Sequence, residues 1–298
     1  MTKLSIIKKN GIIALTSGAL LVGCGKRDGG SEGQSSNIQN KGSDTMLQLA
    51  QAWSELYAKE FPDVRVAVSG GGSGTGIAGL INGVVDIANC SRAIKSGEME
   101  KVKAAHGVEA KQYIMGLDCL AVYVHKDNPL EEITIDQLGQ IFGEDGTITK
   151  WSQLGIEAPG GKNEIVRLSR QSNSGTYVYF KETVIPEGKS FKPGSLDMHG
   201  SKEVVELCAK TPATIGYSGM GYATDDVKML RVAMKDGDKA FAPNNDNALS
   251  GDYPIARPLF MYTLGEPKKH VKAYLDWCLS PAGQKVVNAT GYVPAPKN

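Results

Sequence analysis

The chain has 298 residues, of which 41% are hydrophobic, so it can bury a substantial core and form two domains of ordinary size. Its 33 basic and 32 acidic residues leave a formal net charge of +1, and this balance does not favour nucleic acid as a partner. Aromatic residues make up 7%, too few for a platform on which the bases of a single strand would stack.

Residues 1–23 have the pattern of a bacterial signal peptide. Three lysines precede an apolar run over residues 11–23, and the run is shorter than the roughly 20 residues that span a bilayer. It ends at Cys24, and the small residues before this cysteine resemble the lipobox of bacterial lipoproteins, in which the cysteine is lipidated. We predict a lipid (palmitoyl) anchor at Cys24; an ordinary signal peptide with an incidental cysteine is the alternative.

Residues 24–40 are predicted to form a flexible tether. The segment is rich in Gly, Ser, Asn and Gln and has almost no apolar content with which to pack. A lipid at Cys24 would then hold a globular body at the outer face of a membrane.

The globular body alternates predicted strands and helices. Apolar residues that recur at helical spacing predict helices over residues 46–61, 77–82, 99–105, 135–142, 177–183, 201–210 and 268–279, with a last one from Pro281 to Gly291. Short alternating or continuous apolar runs predict strands over residues 64–68, 84–88, 120–125, 165–169, 213–218 and 259–263. Thr134, Ser201 and Ser280 stand where they would cap the helices that follow them. This alternation is typical of an α/β fold with mostly parallel sheets.

Turn-rich segments at residues 125–129 and 244–258 predict two crossings of the chain between domains. Residues 41–124 and 256–298 would form a discontinuous lobe I, and residues 125–255 would form lobe II. This is the plan of a hinged protein that encloses a ligand between two lobes.

The cysteines and histidines do not predict a metal site. Cys90, Cys119, Cys208 and Cys278 form no C-x-x-C pair, and the four histidines are scattered. Two disulfides and four buried thiols both remain open, and no cofactor is predicted.

Three loops share a chemistry suited to an oxyanion. They are residues 41–45 (KGSDT), 70–76 (GGGSGTG) and 170–176 (RQSNSGT), and each precedes a predicted helix. Free backbone N–H groups and the positive end of a helix dipole favour an anion there, while hydroxyls and an arginine add hydrogen bonds. Any one loop is explained by helix capping alone, but together they predict an oxyanion site.

These loops, with residues 86–92 (DIANCSR), resemble the phosphate-binding proteins of bacterial phosphate ABC transporters. Residues 141–151 and 280–294 also resemble that family, so the resemblance runs from about residue 40 to the C-terminus. It implies a type II periplasmic-binding-protein fold and a non-enzymatic function, the capture of inorganic phosphate for a membrane permease. The phosphate ligands that it implies are Ser43, Asp44, Thr45, Ser73, Ser91, Arg92, Arg170, Ser174, Gly175 and Thr176.

One position departs from the family pattern. The best-known members have an aspartate, the usual acceptor for the phosphate proton, where this chain has Ser91. Asp44 is the only carboxylate in the three loops, so it is the predicted acceptor, with helix capping as its alternative role. Asp86 is interpreted as a strand-end carboxylate that binds backbone. Sulfate or molybdate remains an alternative ligand, and an exported phosphohydrolase is a less favoured alternative function.

Overall fold

A computed structural model describes residues 36–157 and 159–296, which form a mixed α/β body around one curved ten-stranded sheet. The strands are β1 (Ser36–Gly42), β2 (Val64–Ser69), β3 (Ile87–Cys90), β4 (Ala110–His125), β5 (Glu132–Thr134), β6 (Val166–Arg170), β7 (Leu196–Met198), β8 (Thr214–Gly219), β9 (Val227–Met229), β10 (Arg231–Ala233), β11 (Ala256–Leu264) and β12 (Val293–Pro294). The helices are α1 (Leu47–Glu60), α2 (Ser73–Ile81), α3 (Ser96–His106), α4 (Ile135–Phe142), α5 (Gly175–Val184), α6 (Ser201–Lys210), α7 (Asn245–Ser250), α8 (Lys269–Leu279) and α9 (Pro281–Ala289).

The main path of the sheet has the strand order β2-β1-β3-β11-β4-β8-β6-β7. Its two ends are parallel: β1 pairs with β2 and β3, and β6 pairs with β7 and β8. The middle is antiparallel, since β11 pairs with β3 and β4, and β4 pairs with β8. Each parallel end carries helices, as βαβ connections require.

Three clusters of buried residues define two lobes, two clusters in lobe I and one in lobe II. The cores of lobe I combine residues 38–115 with residues 259–292, and the core of lobe II is drawn almost entirely from residues 119–255. The predicted boundary after residue 124 is therefore wrong: Leu120–Val124 pack into lobe II. Strand β4 itself crosses between lobes, because its first part pairs with β11 and its last part with β8.

The predicted tether over residues 24–40 ends too late. Ser36–Gly42 form β1, an inner strand between β2 and β3, in which the Ile38 and Asn40 side chains are buried. The strand has a single large apolar residue, so its composition resembles a linker. Its Gln39 N–H donates to Asp86 Oδ2 at 2.9 Å, which confirms the predicted backbone-binding role of that carboxylate.

Helix ends follow the capping predictions at two of three positions. The Thr134 hydroxyl accepts from the backbone N–H of Gln137, and the Ser280 hydroxyl accepts from that of Gly283, with Pro281 as the first helical residue. The prediction for Ser201 is wrong: Gly200 is the N-cap of α6, and Ser201 lies inside the helix.

Cys90, Cys119, Cys208 and Cys278 are buried free thiols, so no disulfide joins these four. The predicted anchor at Cys24 and the signal peptide lie outside the described residues. Within residues 36–157 and 159–296, no helix combines the length and apolar character that crossing a membrane requires.

Candidate anion-binding site

The candidate site lies at the edge where parallel strands of both lobes end. Ser43 and Ser91 follow directly after the neighbouring parallel strands β1 and β3, and the loop after β2 leads into α2 at Ser73. In lobe II, β6 ends at Arg170 and its loop leads into α5 at Gly175. Ligands bind α/β sheets beyond the carboxyl ends of their strands, because helix N-termini gather there.

Five buried hydroxyl groups meet at this edge. The Ser43 hydroxyl donates to Ser91 Oγ at 2.9 Å, and Ser73 Oγ lies 3.4 Å from Ser91 Oγ. Thr45 Oγ1 of lobe I and Thr176 Oγ1 of lobe II are 2.8 Å apart. The first, second and third loops therefore come together as the sequence predicted.

Backbone contacts hold the second and third loops against each other. The Gly74 N–H donates to the Asn173 carbonyl at 2.9 Å, and the Asn173 side-chain amide donates to the Gly71 carbonyl at 2.9 Å. Gly175 fits against the hydroxyls of Ser73 and Ser91, since a Cβ there would lie 2.7 Å from Ser91 Oγ. The absence of a side chain at Gly175 is what allows the two helix N-termini to approach so closely.

Arg170 is completely buried, and most of its N–H groups have protein acceptors. Its Nη2 donates to Asp44 Oδ2 at 3.0 Å and to the His199 carbonyl at 2.9 Å. Its Nη1 donates to the Ser201 hydroxyl at 3.0 Å, and its Nε donates to the Met198 carbonyl at 3.3 Å. This network fixes the guanidinium at the end of β6 and engages the hydroxyl of Ser201, the first residue of α6.

The Asp44 side chain does not cap a helix, and both of its carboxylate oxygens already accept hydrogen bonds from protein groups. The N-cap of α1 is Met46, which has no side-chain cap. The Asp44 carboxylate instead accepts the Gly71 N–H at 2.8 Å and pairs with Arg170 across the two lobes. Its own carbonyl accepts from the Tyr222 hydroxyl at 2.6 Å. Asp44 thus positions the second loop and Arg170.

A second buried arginine was not predicted from the sequence. Arg257 on β11 lies opposite Asp118 on β4 in the strand register, and it binds Asp118 Oδ2 through Nε at 3.0 Å and Nη2 at 2.8 Å. The same Nη2 lies 3.3 Å from Thr45 Oγ1 and 3.1 Å from Thr176 Oγ1. The sequence held a signal for this pair: Asp118 and Arg257 each stand two residues before an apolar run that predicts a strand, and a charge buried there requires a partner.

Two further predicted ligands have other contacts. Both Nη atoms of Arg92 bind the Glu98 carboxylate, at 2.8 and 2.7 Å, so its guanidinium is directed to α3 rather than to the hydroxyls. The Ser174 hydroxyl caps α5 by accepting the N–H groups of Thr176 and Tyr177.

A cavity of about 300 Å³ between the lobes is lined by Arg92, Tyr179 and Arg257. Lys95 of lobe I and Glu182 of lobe II also line it and form an ion pair of 3.2 Å, with both side chains about half exposed. The Arg257 guanidinium lies 5.4 Å from the centre of the Tyr179 ring. One exposed ion pair therefore joins the lobes beside the buried site.

Burial shifts the ionisation of the charged pairs. Burial lowers the pKa of Arg170, and the nearby Asp44 carboxylate opposes this shift. Burial raises the pKa of Asp118, and the charge and hydrogen bonds of Arg257 oppose it. Because each arginine is paired with an aspartate, their charges largely cancel. The positive electrostatic potential at the hydroxyls then comes from the N-terminal ends of α2 and α5.

Comparison with known proteins agrees with this geometry. The sequence matches the PBP superfamily domain over residues 29–282. It is 34% identical over 276 residues to the phosphate-binding protein PstS of Pseudomonas aeruginosa, covering 89% of this chain and 85% of that protein. The chain belongs to the PstS family of phosphate-binding proteins. PstS of Bacillus subtilis is 32% identical over 266 residues, which cover 89% of this chain and 83% of that protein.

Solved structures related to the PstS family show the same fold. A Clostridium perfringens structure described as a phosphate ABC transporter substrate-binding protein with bound phosphate has a TM-score of 0.76 and 28% identity, covering 87% of this chain and all of that one. An ABC-type phosphate transport receptor from Vibrio cholerae has a TM-score of 0.66 and 25% identity, with the same coverage. The predicted two-lobed periplasmic-binding-protein fold is confirmed.

Proposed function

We propose that this protein captures inorganic phosphate between its lobes and delivers it to the membrane subunits of an ABC permease, without catalysing a reaction. The observation that carries the proposal is the meeting of hydroxyls from both lobes beside the N-termini of α2 and α5. The relatives named above, which bind phosphate, support the same ligand.

The proposed phosphate contacts are hydroxyls, backbone N–H groups and arginine. They are Ser43, Thr45, Ser73, Ser91, Arg170, Ser174, Gly175 and Thr176, and Arg257 joins this set because its Nη2 contacts two of the hydroxyls. Hydroxyl and N–H donors suit an oxyanion, and a helix N-terminus favours its negative charge. Asp44 acts through Arg170, and Arg92 is left out because Glu98 holds it.

The proposed location is the outer face of a bacterial membrane. The supporting observations are the apolar run and Cys24 in the sequence, followed by a Gly- and Ser-rich segment that precedes β1. Mass spectrometry of the mature N-terminus tests the anchor: a lipidated Cys24 is expected, and an unmodified cysteine would refute it.

Titration calorimetry of the purified protein with phosphate tests the function. Thr176→Val should weaken phosphate binding by about tenfold to a hundredfold, because a hydrogen bond to a charged group contributes about 1.5–3 kcal/mol. Thr183→Val is the matched control on the same helix: its hydroxyl bonds to the Tyr179 carbonyl, and affinity should not change. Absence of phosphate binding in the wild type would refute the proposal. Hydrolysis of a phosphate ester with divalent metal would favour the phosphohydrolase instead.

A further inference from the structure

The two carboxylates beside the hydroxyls are both committed to protein donors. Asp44 Oδ1 accepts the Gly71 N–H at 2.8 Å, and its Oδ2 pairs with Arg170. Asp118 Oδ1 accepts the Met220 N–H at 3.0 Å, and its Oδ2 accepts two hydrogen bonds from Arg257. Each carboxylate charge is therefore matched by a buried guanidinium.

Because both carboxylates are paired, the site has no free carboxylate at Asp44 or Asp118 that would repel an anion without a proton. At neutral pH phosphate carries a proton and sulfate carries none, so an unpaired carboxylate in a dry site attracts the first and repels the second. Among the described residues of this site, the negative charges at Asp44 and Asp118 are neutralised at contact distance. The net field at the hydroxyls comes from two helix N-termini, and this field favours any divalent anion.

Ser91 lies between the hydroxyls of Ser43 and Ser73. Its Oγ accepts from the Ser43 hydroxyl at 2.9 Å and lies 3.4 Å from Ser73 Oγ, while its backbone N–H donates to Ser73 Oγ at 3.0 Å. A serine hydroxyl has one donor and two acceptor lone pairs, and it rotates to suit its partner. It can accept the proton of phosphate or donate to a bare sulfate oxygen.

We propose that Ser91 is the group that faces the phosphate proton, and that this site therefore binds tetrahedral divalent oxyanions as a class, sulfate included. This inference rests on the proposed phosphate-binding function and deepens it. The site then selects anions by their size, shape and charge, because a serine hydroxyl at this position can hydrogen-bond either to a protonated phosphate oxygen or to an unprotonated sulfate oxygen.

Titration calorimetry of the wild type with phosphate, sulfate and arsenate separates this inference from the function on which it rests. We expect sulfate to bind within about a hundredfold of phosphate, since the like-charge conflict that would produce a larger difference is missing. Arsenate is larger than phosphate and also carries a proton at neutral pH, so its affinity relative to phosphate measures how well the site tolerates a larger anion. Sulfate binding that is weaker than phosphate binding by more than about a hundredfold overturns this inference and leaves the proposed function intact. Absence of phosphate binding overturns both.

A single substitution then tests the role of Ser91. Ser91→Asp introduces a carboxylate beside the Ser43 and Ser73 hydroxyls and should raise the preference for phosphate over sulfate by about a hundredfold or more. Ser96→Asp is the matched control, because it adds the same charge at an exposed position five residues away and should leave the preference within about twofold. A thermal unfolding transition verifies that each variant is folded. An unchanged preference in folded Ser91→Asp overturns the assignment, and the wild-type sulfate titration decides the class of ligand even if this variant does not fold.

Discussion

Asp118→Asn provides a sensitive test of the buried charge pair, because it removes one charge and keeps the shape of the side chain. Asp118 has no exposed surface and Arg257 is 1% exposed, so the remaining guanidinium charge cannot reach water. Breaking a buried pair in this way costs about 3–5 kcal/mol. At roughly 2–4 °C per kcal/mol for a chain of this size, the melting temperature should fall by about 6–20 °C.

Thermal unfolding followed by circular dichroism measures this loss. The uncompensated Arg257 also lies beside the Thr45 and Thr176 hydroxyls, so a bound divalent anion can replace the missing carboxylate charge. Phosphate should therefore raise the melting temperature of Asp118→Asn by more than that of the wild type.

Asp226→Asn is the matched control, since Asp226 pairs with Lys126 at an exposed position and its loss should cost at most about 1 kcal/mol. A second change, Arg257→Gln, should recover part of the loss in Asp118→Asn because it removes the unpaired charge. A melting temperature for Asp118→Asn within about 2 °C of the wild type would refute the reasoning.

Three further predictions concern the packing of the loops, the joining of the lobes and the buried thiols. Gly175→Ala should weaken phosphate binding by about a hundredfold or more, because its Cβ would collide with the serine hydroxyls, whereas Gly97→Ala meets no atom within 4 Å and should bind normally in calorimetry. Glu182→Gln should weaken phosphate binding by at most about fivefold through loss of its ion pair with Lys95, and a deficit that persists in about 1 M salt would contradict that cause. Burial raises the pKa of Cys208 from 9.0 to about 12, so the folded state keeps a proton that the unfolded state releases above pH 9. Stability should therefore fall with rising pH between 9 and 12 by up to about 1.4 kcal/mol per pH unit for this thiol, and Cys208→Ala should unfold with a shallower pH dependence in urea titrations.

In the part of the chain that the structure describes, the sequence predicted eight of nine helices and six of twelve strands, because their apolar periodicity is local. Besides α7, it missed β5, β7, β9, β10 and β12, strands of two or three residues that are too short to show a period. It also missed β1, whose polar residues carry no such pattern; the strand pairs with β2 over residues 36–41 and with β3 at residues 40–42. It also placed the start of β4 ten residues late, at residue 120 rather than Ala110. The run from residue 120 is continuously apolar, whereas residues 110–119 mix polar and apolar side chains because they face a partly exposed surface.

The three loops of the site were predicted because each has its own motif. The pairings between them were not, since Asp44 and Arg170 lie 126 residues apart, and Arg257 and Asp118 lie 139 apart. A motif shows which hydrogen-bonding groups a loop contains. Only the fold shows which of these groups are hydrogen-bonded to other side chains of the protein. That is why Asp44 was predicted as an acceptor and is found as the partner of Arg170.

The discontinuity of lobe I has a consequence for the order of folding. Its first helix and the loop before that helix contact residues near the C-terminus: the Trp53 indole donates to the Gly283 carbonyl, and the Tyr292 hydroxyl donates to the Thr45 carbonyl. Lobe II is nearly continuous and can pack as soon as residue 255 is available, whereas contacts of such long sequence separation form late. We expect the hydroxyls of the first loop to be assembled last, so that a chain cut short before α9 would hold a formed lobe II and no complete anion site.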